Sequence, residues 1–406
     1  MTLISFFRDH NRFLLFGMLM TYLSSFGQTY MFGAFKPALM ESLSLNDASF
    51  GLWYLIITLG SAFGLNFLGG FIDRMPLSRW TMIVLISMIF SLAFLWLGSS
   101  FIPIILAMLA VRLIGQGLLV HIAATSMTRY FEDGRGKAIS IALLGIPLGQ
   151  ATLPYAATLM QASMNWQLSW FILGAGLIIL SIPLVHWLLH DHHHRHHSWL
   201  EQTAEHENKL QGQILHFKRK QVLRDYKFYL FIPNLIGIPF WVTAVFFFAS
   251  DIAAAKKMAM TDFTALYLWN GVSAIVAPFI VGSLVDKYSG KPLLLLATPI
   301  MVIAMLLCIY METQIHISLF FFILGFCLGA SVPVNNSVLA ELYGTKYLGE
   351  IKSLTASIIV VSTALSPWLI GIMLEQGWSI ITLMWGGVLH AIFAVPLLYP
   401  IIKSKP

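Results

Sequence analysis

One full charge lies deep inside a long apolar run of the sequence: the guanidinium of Arg112, within residues 102–127. An ionisable side chain surrounded by hydrocarbon is costly, so its presence there indicates a function. The planar guanidinium matches a carboxylate through two parallel hydrogen bonds, which would suit an anionic ligand. It could equally bond to backbone carbonyls and polar side chains of neighbouring elements. Gln116 follows one helical turn later and would line the same surface.

Two histidines in apolar runs are candidates for carrying a proton, because imidazole changes its charge near neutral pH. They are His121, in the same run as Arg112, and His390. All 18 Asp and Glu residues can be assigned to connections or run ends, so a buried carboxylate is not available for this task. Each histidine could instead be a hydrogen-bonded packing residue, and a proton could travel on the acid group of a ligand. A step of roughly 100° per helical residue places His121 on the face opposite Arg112.

Other polar side chains interrupt the apolar runs and could line a binding cavity or form interhelical hydrogen bonds. They are Tyr22, Gln28, Tyr30, Asn234, Trp241, Asn270, Asn335 and Asn336. Pro233 and Pro239 interrupt the apolar run that holds Asn234 and Trp241. Pro333 precedes the two adjacent asparagines. Proline frees helical carbonyls, which could bend those helices and face a cavity.

The composition identifies the solvent of these runs. Of the 406 residues, 58% are hydrophobic and 10% are charged, and the mean hydropathy is +0.79. A soluble domain has about a quarter of its residues charged. Folding in water would therefore leave more apolar surface than a core could hide. Cys308 and Cys327 both lie in apolar stretches, so the sequence predicts no disulfide framework and no paired-thiol metal motif.

Twelve apolar runs are long enough to cross a bilayer, and we number them spans 1 to 12. They cover residues 13–34, 50–71, 80–98, 102–127, 138–160, 168–189, 228–250, 264–285, 292–311, 316–340, 353–374 and 379–401. The runs are continuously apolar rather than alternating, which excludes a closed barrel and favours helices. The sequence therefore predicts an all-α membrane protein with twelve transmembrane helices.

The basic residues are distributed unevenly over the connections. With the first connection taken as outside, 20 of the 24 Lys and Arg lie inside, and only Lys36, Lys256 and Lys257 lie outside. This bias predicts that both termini are cytoplasmic. Nucleic-acid binding would instead require these charges on one folded face with aromatic stackers, so we do not expect it.

The two halves of the chain can be aligned at a constant shift of 213 residues, which pairs Gly69 with Gly282, Asp73 with Asp286 and Pro154 with Pro367. Each half has six spans, so the halves share one orientation and form a parallel repeat. We therefore expect an N-terminal six-helix bundle over 1–189, a cytoplasmic linker over 190–227 and a C-terminal bundle over 228–406.

The connection between spans 2 and 3, Gly69-Gly-Phe-Ile-Asp73-Arg74, is echoed between spans 8 and 9 by Gly282-Ser-Leu-Val-Asp286-Lys287. Both stretches resemble the signature loop of the major facilitator superfamily. Phe26-Gly-Gln-Thr-Tyr30, Arg129-Tyr-Phe and Glu341-Leu-Tyr-Gly-Thr345 are similar to bacterial members near the monocarboxylate and oxalate/formate carriers. The resemblance implies two six-helix bundles (the major facilitator fold), with spans 1, 4, 7 and 10 around a central cavity. It also implies a third role for Arg112, as the span 4 arginine of a motif associated with proton antiport.

The same resemblance implies a latch on the cytoplasmic side. Asp73 would pair with Arg129, and Asp286 with Glu341 or Lys346. The residues assigned to gating are Gly69, Asp73, Arg74, Arg129, Gly282, Asp286, Lys287 and Glu341. The two glycines would let a helix end approach a neighbour closely. Alternatively, these charges and turns only fix the topology.

Residues 190–197 contain six histidines in eight positions. Such a tract binds Zn²⁺, Ni²⁺ or Cu²⁺ without fixing a geometry. It could be a solvated tract with no part in the main function, or it could sense metal.

These observations predict a secondary active transporter of the bacterial inner membrane, which moves a small organic solute such as a monocarboxylate by alternating access. Coupling to a proton by symport and a monomeric state are expected, and no cofactor is implied. A nucleotide-binding loop and a catalytic constellation are both missing from the sequence, so we do not expect an enzyme. The alternatives are efflux of a drug or metal chelator, and a metal-responsive membrane receptor without transport.

Overall fold

The computed structural model of the protein describes residues 3–131, 134–190, 217–344 and 347–403. The histidine tract after His190 lies outside these ranges, as do most of the linker and Lys346. The described residues form helices joined by short turns and contain no strand.

Eleven helical stretches of the described chain are long and apolar enough to cross a membrane. They are Asp47–Arg74, Leu77–Leu97, Phe101–Tyr130, Arg135–Gln161, Trp166–Leu188, Tyr226–Phe247, Met260–Tyr288, Gly290–Tyr310, Gln314–Tyr343, Leu348–Glu375 and Ile380–Lys403. Each coincides with one of spans 2 to 12, with bounds shifted by a few residues. Hydropathy therefore predicted these eleven elements correctly.

Span 1 is not a continuous helix. It is divided into the helix Leu3–Leu23, a 3₁₀ turn Ser24–Gly27 and the helix Thr29–Leu43, with extended backbone at Gln28. Three of the four residues of this turn are serine or glycine, and both residue types favour turns over helix interiors. The Ser24 hydroxyl donates to the Thr21 carbonyl at 2.6 Å, which competes with the helical hydrogen-bond pattern.

The chain folds into two compact units. The first comprises residues 1–32 and 60–212, and the second comprises residues 33–59 and 213–406. The segment 33–59, which follows the break in span 1, thus belongs to the second unit. The remainder of spans 1 and 2 belongs to the first unit. The predicted limits at residues 189 and 228 lie near the change from the first unit to the second and stay a prediction.

Close backbone approach explains why the segment 33–59 packs in the second unit. A Cβ atom at Gly33 would overlap the Phe246 carbonyl, and a Cβ atom at Gly51 would lie 2.5 Å from the Pro367 carbonyl oxygen. Residues without a side chain allow helix backbones to meet at this distance.

The outer faces of the helices are strongly apolar. Phe90, Leu180 and Phe393 are 70%, 73% and 72% exposed, and many other large apolar side chains are exposed beside them. Apolar patches of this extent are not tolerated in water. They indicate a lipid solvent, and the polar groups that could do chemistry lie on the inner faces.

Candidate functional site

Arg112 ends the helix Phe101–Arg112 and is followed by a π-helical segment, Leu113–Leu119, before the chain continues as the helix Val120–Tyr130. Gly115 and Gly117 lie inside this segment and weaken regular α-helix. Segments of π-helix occur often at functional sites because they re-aim side chains. The Arg112 side chain is fully buried.

The guanidinium contacts the broken part of span 1. The Nη1 atom of Arg112 donates to the Gly27 carbonyl at 3.0 Å, and the guanidinium carbon lies 5.8 Å from the centroid of the Phe32 ring. The structure therefore shows the carbonyl contact that the sequence left open as one role of this arginine. A carbonyl dipole and an aromatic face both stabilise a cation.

Two glycines make this contact possible. A Cβ atom on Gly27 would lie 2.6 Å from the Val111 carbonyl oxygen and 2.7 Å from the Gln116 nitrogen. A Cβ atom on Gly115 would lie 2.6 Å from the Gly27 nitrogen. The 3₁₀ turn and the π segment thus meet backbone to backbone, directly beside Arg112.

The remaining candidates of the first unit are divided between this junction and span 5. Gln28 lies within the break, where its Nε2 atom donates to the Ser24 hydroxyl at 3.4 Å, and Gln116 is half-buried. The Tyr22 hydroxyl lies 3.1 Å from the Thr152 hydroxyl, and the Tyr30 hydroxyl bonds to Ser25 at 2.8 Å and to the Ile146 carbonyl at 3.4 Å. Arg112, Gln116 and Gln28 are therefore grouped at the junction. Tyr22 is engaged towards span 5, and Tyr30 bonds both to the break in span 1 and to span 5.

Two of the five candidates of the second unit form interhelical hydrogen bonds. Thr298 donates to the Asn234 carboxamide oxygen at 2.5 Å, and the Asn270 amide donates to the Phe321 carbonyl at 3.2 Å. Trp241 is buried against Gly386 and Gly387. Asn335 and Asn336 are half-buried. The packing alternative is thus what the structure shows for Asn234 and Asn270.

Both histidines bind backbone carbonyls. The His121 Nε2 atom lies 3.2 Å from the Gly69 oxygen, and the His390 Nε2 atom lies 2.8 Å from the Pro233 oxygen. The opposite-face argument for His121 assumed an uninterrupted α-helix, and the π segment intervenes. The structure nevertheless gives His121 and Arg112 partners in different spans, so they do not form one cluster. Proton coupling through either histidine stays a prediction.

The first gating loop forms the pair that the sequence analysis expected. Arg129 makes an ion pair with Asp73, and its Nη1 atom donates to the Ile72 carbonyl at 3.3 Å. Gly69, which His121 approaches, begins this loop, and the exposed Arg74 lies over the Phe71 ring at 5.7 Å. A cavity of about 620 Å³ adjoins the pair. Its polar lining includes Asp73, Arg74, Ser78, Arg129, His186 and His190.

The second gating loop is built differently. Asp286 and Lys287 are exposed, and a Cβ atom at Gly282 would have no neighbour within 4 Å, so the close approach expected there is not found. Glu341 does not pair with Asp286, since two carboxylates repel each other. It accepts hydrogen bonds from the Gly290 nitrogen at 2.6 Å, the Ser289 hydroxyl at 2.7 Å and the Ser337 hydroxyl at 2.6 Å. Glu341 therefore caps the helix Gly290–Tyr310.

We expect Asp73→Asn and Arg129→Gln each to slow solute exchange by about tenfold while changing the free energy of unfolding by less than about 1 kcal/mol, because exposed ion pairs add little stability. Exchange in liposomes and thermal unfolding in detergent measure the two effects. The double variant should be no slower than the slower single variant. Arg79→Gln, at an exposed arginine of the next helix, is the control; equal slowing by this variant would remove the pair from the gating role.

We expect Glu341→Gln to lower the free energy of unfolding by about 1–2 kcal/mol, because it removes a charged cap from a helix N-terminus. Thermal unfolding of the purified protein checks this, with Glu41→Gln at an exposed carboxylate as the control. An equal unfolding temperature for both variants would contradict the capping role.

Sequence reasoning missed the burial of the Lys36 side chain. Lys36, counted only as an exterior basic residue, is 2% exposed and lies between Asp47 and Asp251. Its position in the apolar helix Thr29–Leu43 was the available signal, but neither carboxylate could be assigned to it without the fold.

A helical membrane protein with a repeated plan of spans and an arginine buried beside the break in span 1 resembles the class of polytopic solute transporters. The model of the Major Facilitator Superfamily matches residues 17–314 and, in a second match, residues 235–406. The chain therefore belongs to the Major Facilitator Superfamily, and it is a transporter rather than an enzyme. The second match falls within the second half, as the internal repeat predicts.

Solved structures of transporters share the fold. A D-xylose–proton symporter aligns with a TM-score of 0.70 and 16% identity over 97% of this chain and 98% of its own. A bacterial homologue of the human lysosomal transporter Spinster aligns with a TM-score of 0.68 and 14% identity, over 97% of each chain. The nucleoside transporter NupG aligns with a TM-score of 0.67 and 13% identity over 97% and 100%. No curated protein matches the chain closely enough to count as a relative.

Proposed function

We propose that the protein is a secondary active transporter that moves a small organic anion, such as a monocarboxylate, by alternating access. The carrying observation is the Arg112 guanidinium, fully buried where the interrupted span 1 meets the π segment of span 4. Interrupted helices at the membrane midplane are a common way of building substrate sites in transporters.

The chemistry of the guanidinium supports an anionic substrate. Arg112 is the one full charge that the sequence places in the interior of span 4, and its planar fork presents two parallel N–H donors. A carboxylate of the substrate would supply a full negative charge, and its two oxygens match the guanidinium fork. Gln28 and Gln116, which flank the same junction, would add neutral hydrogen bonds to the other polar groups of the solute.

The energy source in this proposal is an ion or solute gradient, with a proton as the coupling ion. His121 and His390 are both held by carbonyls, which favours a proton that enters with the acid group of the substrate over one carried by an imidazole. Symport of this kind needs no carboxylate within the spans.

The location follows from the charge bias of the connections. We propose a bacterial inner-membrane protein that acts as a monomer with both termini cytoplasmic. The histidine tract would then lie in the cytoplasm, outside the transport route. Deleting residues 190–197 should leave solute exchange unchanged, whereas a metal-dependent loss of exchange would favour a metal-responsive function.

Exchange in liposomes tests the proposal. Purified protein is reconstituted into vesicles loaded with unlabelled lactate, and entry of labelled lactate is followed with and without a pH gradient. Protein-free vesicles provide the background, and unlabelled formate, oxalate, xylose and uridine serve as competitors. The proposal predicts exchange above background that carboxylates inhibit and xylose does not.

Other results separate the alternatives. The names of two of the similar solved structures suggest xylose and a nucleoside such as uridine as substrates of those proteins. If this protein exchanged xylose or uridine and no carboxylate, the transport function would stand and the proposal of an anionic substrate would be wrong. Movement only out of the cytoplasmic side would favour efflux. Binding without exchange would favour the receptor.

A further inference from the structure

Lys36 lies at the centre of a partly buried group of charges, which we call the Lys36 cluster (Lys36, Asp47 and Asp251). The Lys36 Nζ atom lies 2.5 Å from Asp47 Oδ1 and 2.7 Å from Asp251 Oδ2. The Phe248 ring covers the same ammonium, with its centroid 4.3 Å away. Only 2% of Lys36 is exposed, so both carboxylates are needed to stabilise it there.

The cluster joins elements that are far apart in the sequence. Lys36 belongs to the helix Thr29–Leu43, Asp47 begins the next helix, and Asp251 lies in the helix Ala249–Ala255. Ser250 donates to Asp251 Oδ2 at 3.1 Å, which holds this carboxylate in place. A third carboxylate, Glu375, accepts the Asp47 backbone N–H at 3.1 Å. The segment 33–59 is thus tied by charge to the chain after span 7 and to the end of span 11.

An apolar seam accompanies the cluster along the same segment. The Phe247 ring stacks on Phe50 with centroids 5.5 Å apart and contacts Tyr54 at 4.7 Å. All three rings are fully buried. A Cβ atom at Gly371 would lie 2.5 Å from the Asp47 carbonyl oxygen, so the backbones meet here as well.

The combination of ion pairs with apolar packing suits an interface that must open and close. Ions in a partly buried cluster lose water when the contact forms and regain it when the contact separates, so the two states differ little in free energy. An entirely apolar contact of the same area would favour closure strongly. One ammonium facing two carboxylates also sets the register, because only the closed contact gives Lys36 the Asp251 carboxylate in addition to Asp47, which lies in the same segment.

We propose that Lys36 is a gating residue: its contact with Asp251 locks the segment 33–59 against the other helices of the second unit at one end of the solute route, and this contact separates once in every transport cycle. The charge bias of the connections places this end on the extracytoplasmic side. The inference rests on the proposed transport function, but it does not depend on which solute is carried.

The test measures access to the seam without any solute. Phe50→Cys introduces a thiol that is buried while the lock is closed, and Phe247→Cys provides a second probe from the opposite side. Labelling by a membrane-impermeant maleimide is compared in vesicles for the parent chain, Lys36→Met, Lys36→Arg, Asp251→Asn and Lys36→Met with Asp251→Asn. The chain without an added cysteine reports the background from Cys308 and Cys327, which are both buried.

The lock predicts about tenfold faster labelling in Lys36→Met and in Asp251→Asn, and nearly parental labelling in Lys36→Arg, which keeps the charge. The double variant should label no faster than the faster single variant, because both remove the same interaction. Lys257→Met, at an exposed lysine, should match the parent. Size-exclusion profiles confirm that each variant is folded.

Unchanged labelling in Lys36→Met for both probes, or multiplied effects in the double variant, would overturn the lock. Faster labelling in a protein that exchanges no solute would leave the lock standing and overturn the proposed function. If the protein exchanges solute but its labelling is unaffected by the Lys36 substitutions, the proposed function stands and the lock is overturned.

Discussion

Arg112→Gln is expected to reduce exchange of an organic anion by about a hundredfold. Two charge-assisted hydrogen bonds to a carboxylate contribute about 3 kcal/mol together, and each 1.4 kcal/mol is a factor of about ten in affinity. Glutamine removes the charge and keeps only a neutral amide donor on a shorter side chain, so the guanidinium fork is lost. Exchange in liposomes at a series of solute concentrations measures the effect.

Arg112→Lys should restore exchange poorly. Lysine keeps the charge, but its ammonium is a point charge that cannot form the two parallel bonds of the guanidinium. Arg8→Gln, at an arginine whose side chain is 81% exposed, is the matched control and should exchange at the parental rate. Unaltered exchange in Arg112→Gln would remove the arginine from the substrate site.

Gly115→Ala is expected to lower the free energy of unfolding by about 1–3 kcal/mol and to impair exchange severely. The added methyl would lie 2.6 Å from the Gly27 nitrogen and 3.0 Å from the Ser24 carbonyl oxygen, and backbone atoms cannot rotate away. Separating the two backbones would also lengthen the Arg112–Gly27 hydrogen bond. Thermal unfolding and exchange in liposomes report the two consequences.

Gly117→Ala supplies the matched control in the same π segment. Its Cβ would have its nearest neighbour at 3.7 Å, an ordinary van der Waals distance, and alanine is the better helix former by up to about 1 kcal/mol. The two substitutions should therefore shift the unfolding temperature in opposite directions. Equal shifts would contradict the close approach of the 3₁₀ turn and the π segment.

Hydropathy predicted the elements well because burial in lipid depends on composition and length, both of which a sequence carries. It failed at span 1, where average hydropathy hides a four-residue turn of serine and glycine. Hydropathy also could not predict the π segment. Gly115 and Gly117 are compatible with an ordinary helix, and the sequence does not show that the backbone of Gly27 lies against Gly115. Asp73 and Arg129 were paired in advance by a family resemblance, not by their spacing.

The contacts of the site escaped prediction for a different reason. Arg112 and Gly27 are 85 residues apart, and Lys36 and Asp251 are 215 residues apart. From a single sequence we can infer that a charge in an apolar run needs partners. Several carbonyls and carboxylates could serve as those partners, and only the fold shows which of them do. Glu341 shows the same limit: the family resemblance placed it opposite Asp286 in the latch, and the fold uses it to cap a helix.

The substrate site is tested most directly by comparing a monocarboxylate with its uncharged amide as competitors for exchange. If the Arg112 guanidinium binds the carboxylate, the parent protein should prefer the acid by about a hundredfold, and Arg112→Gln should lose that preference. An Arg112→Gln protein that still prefers the acid by the parental factor would contradict the account.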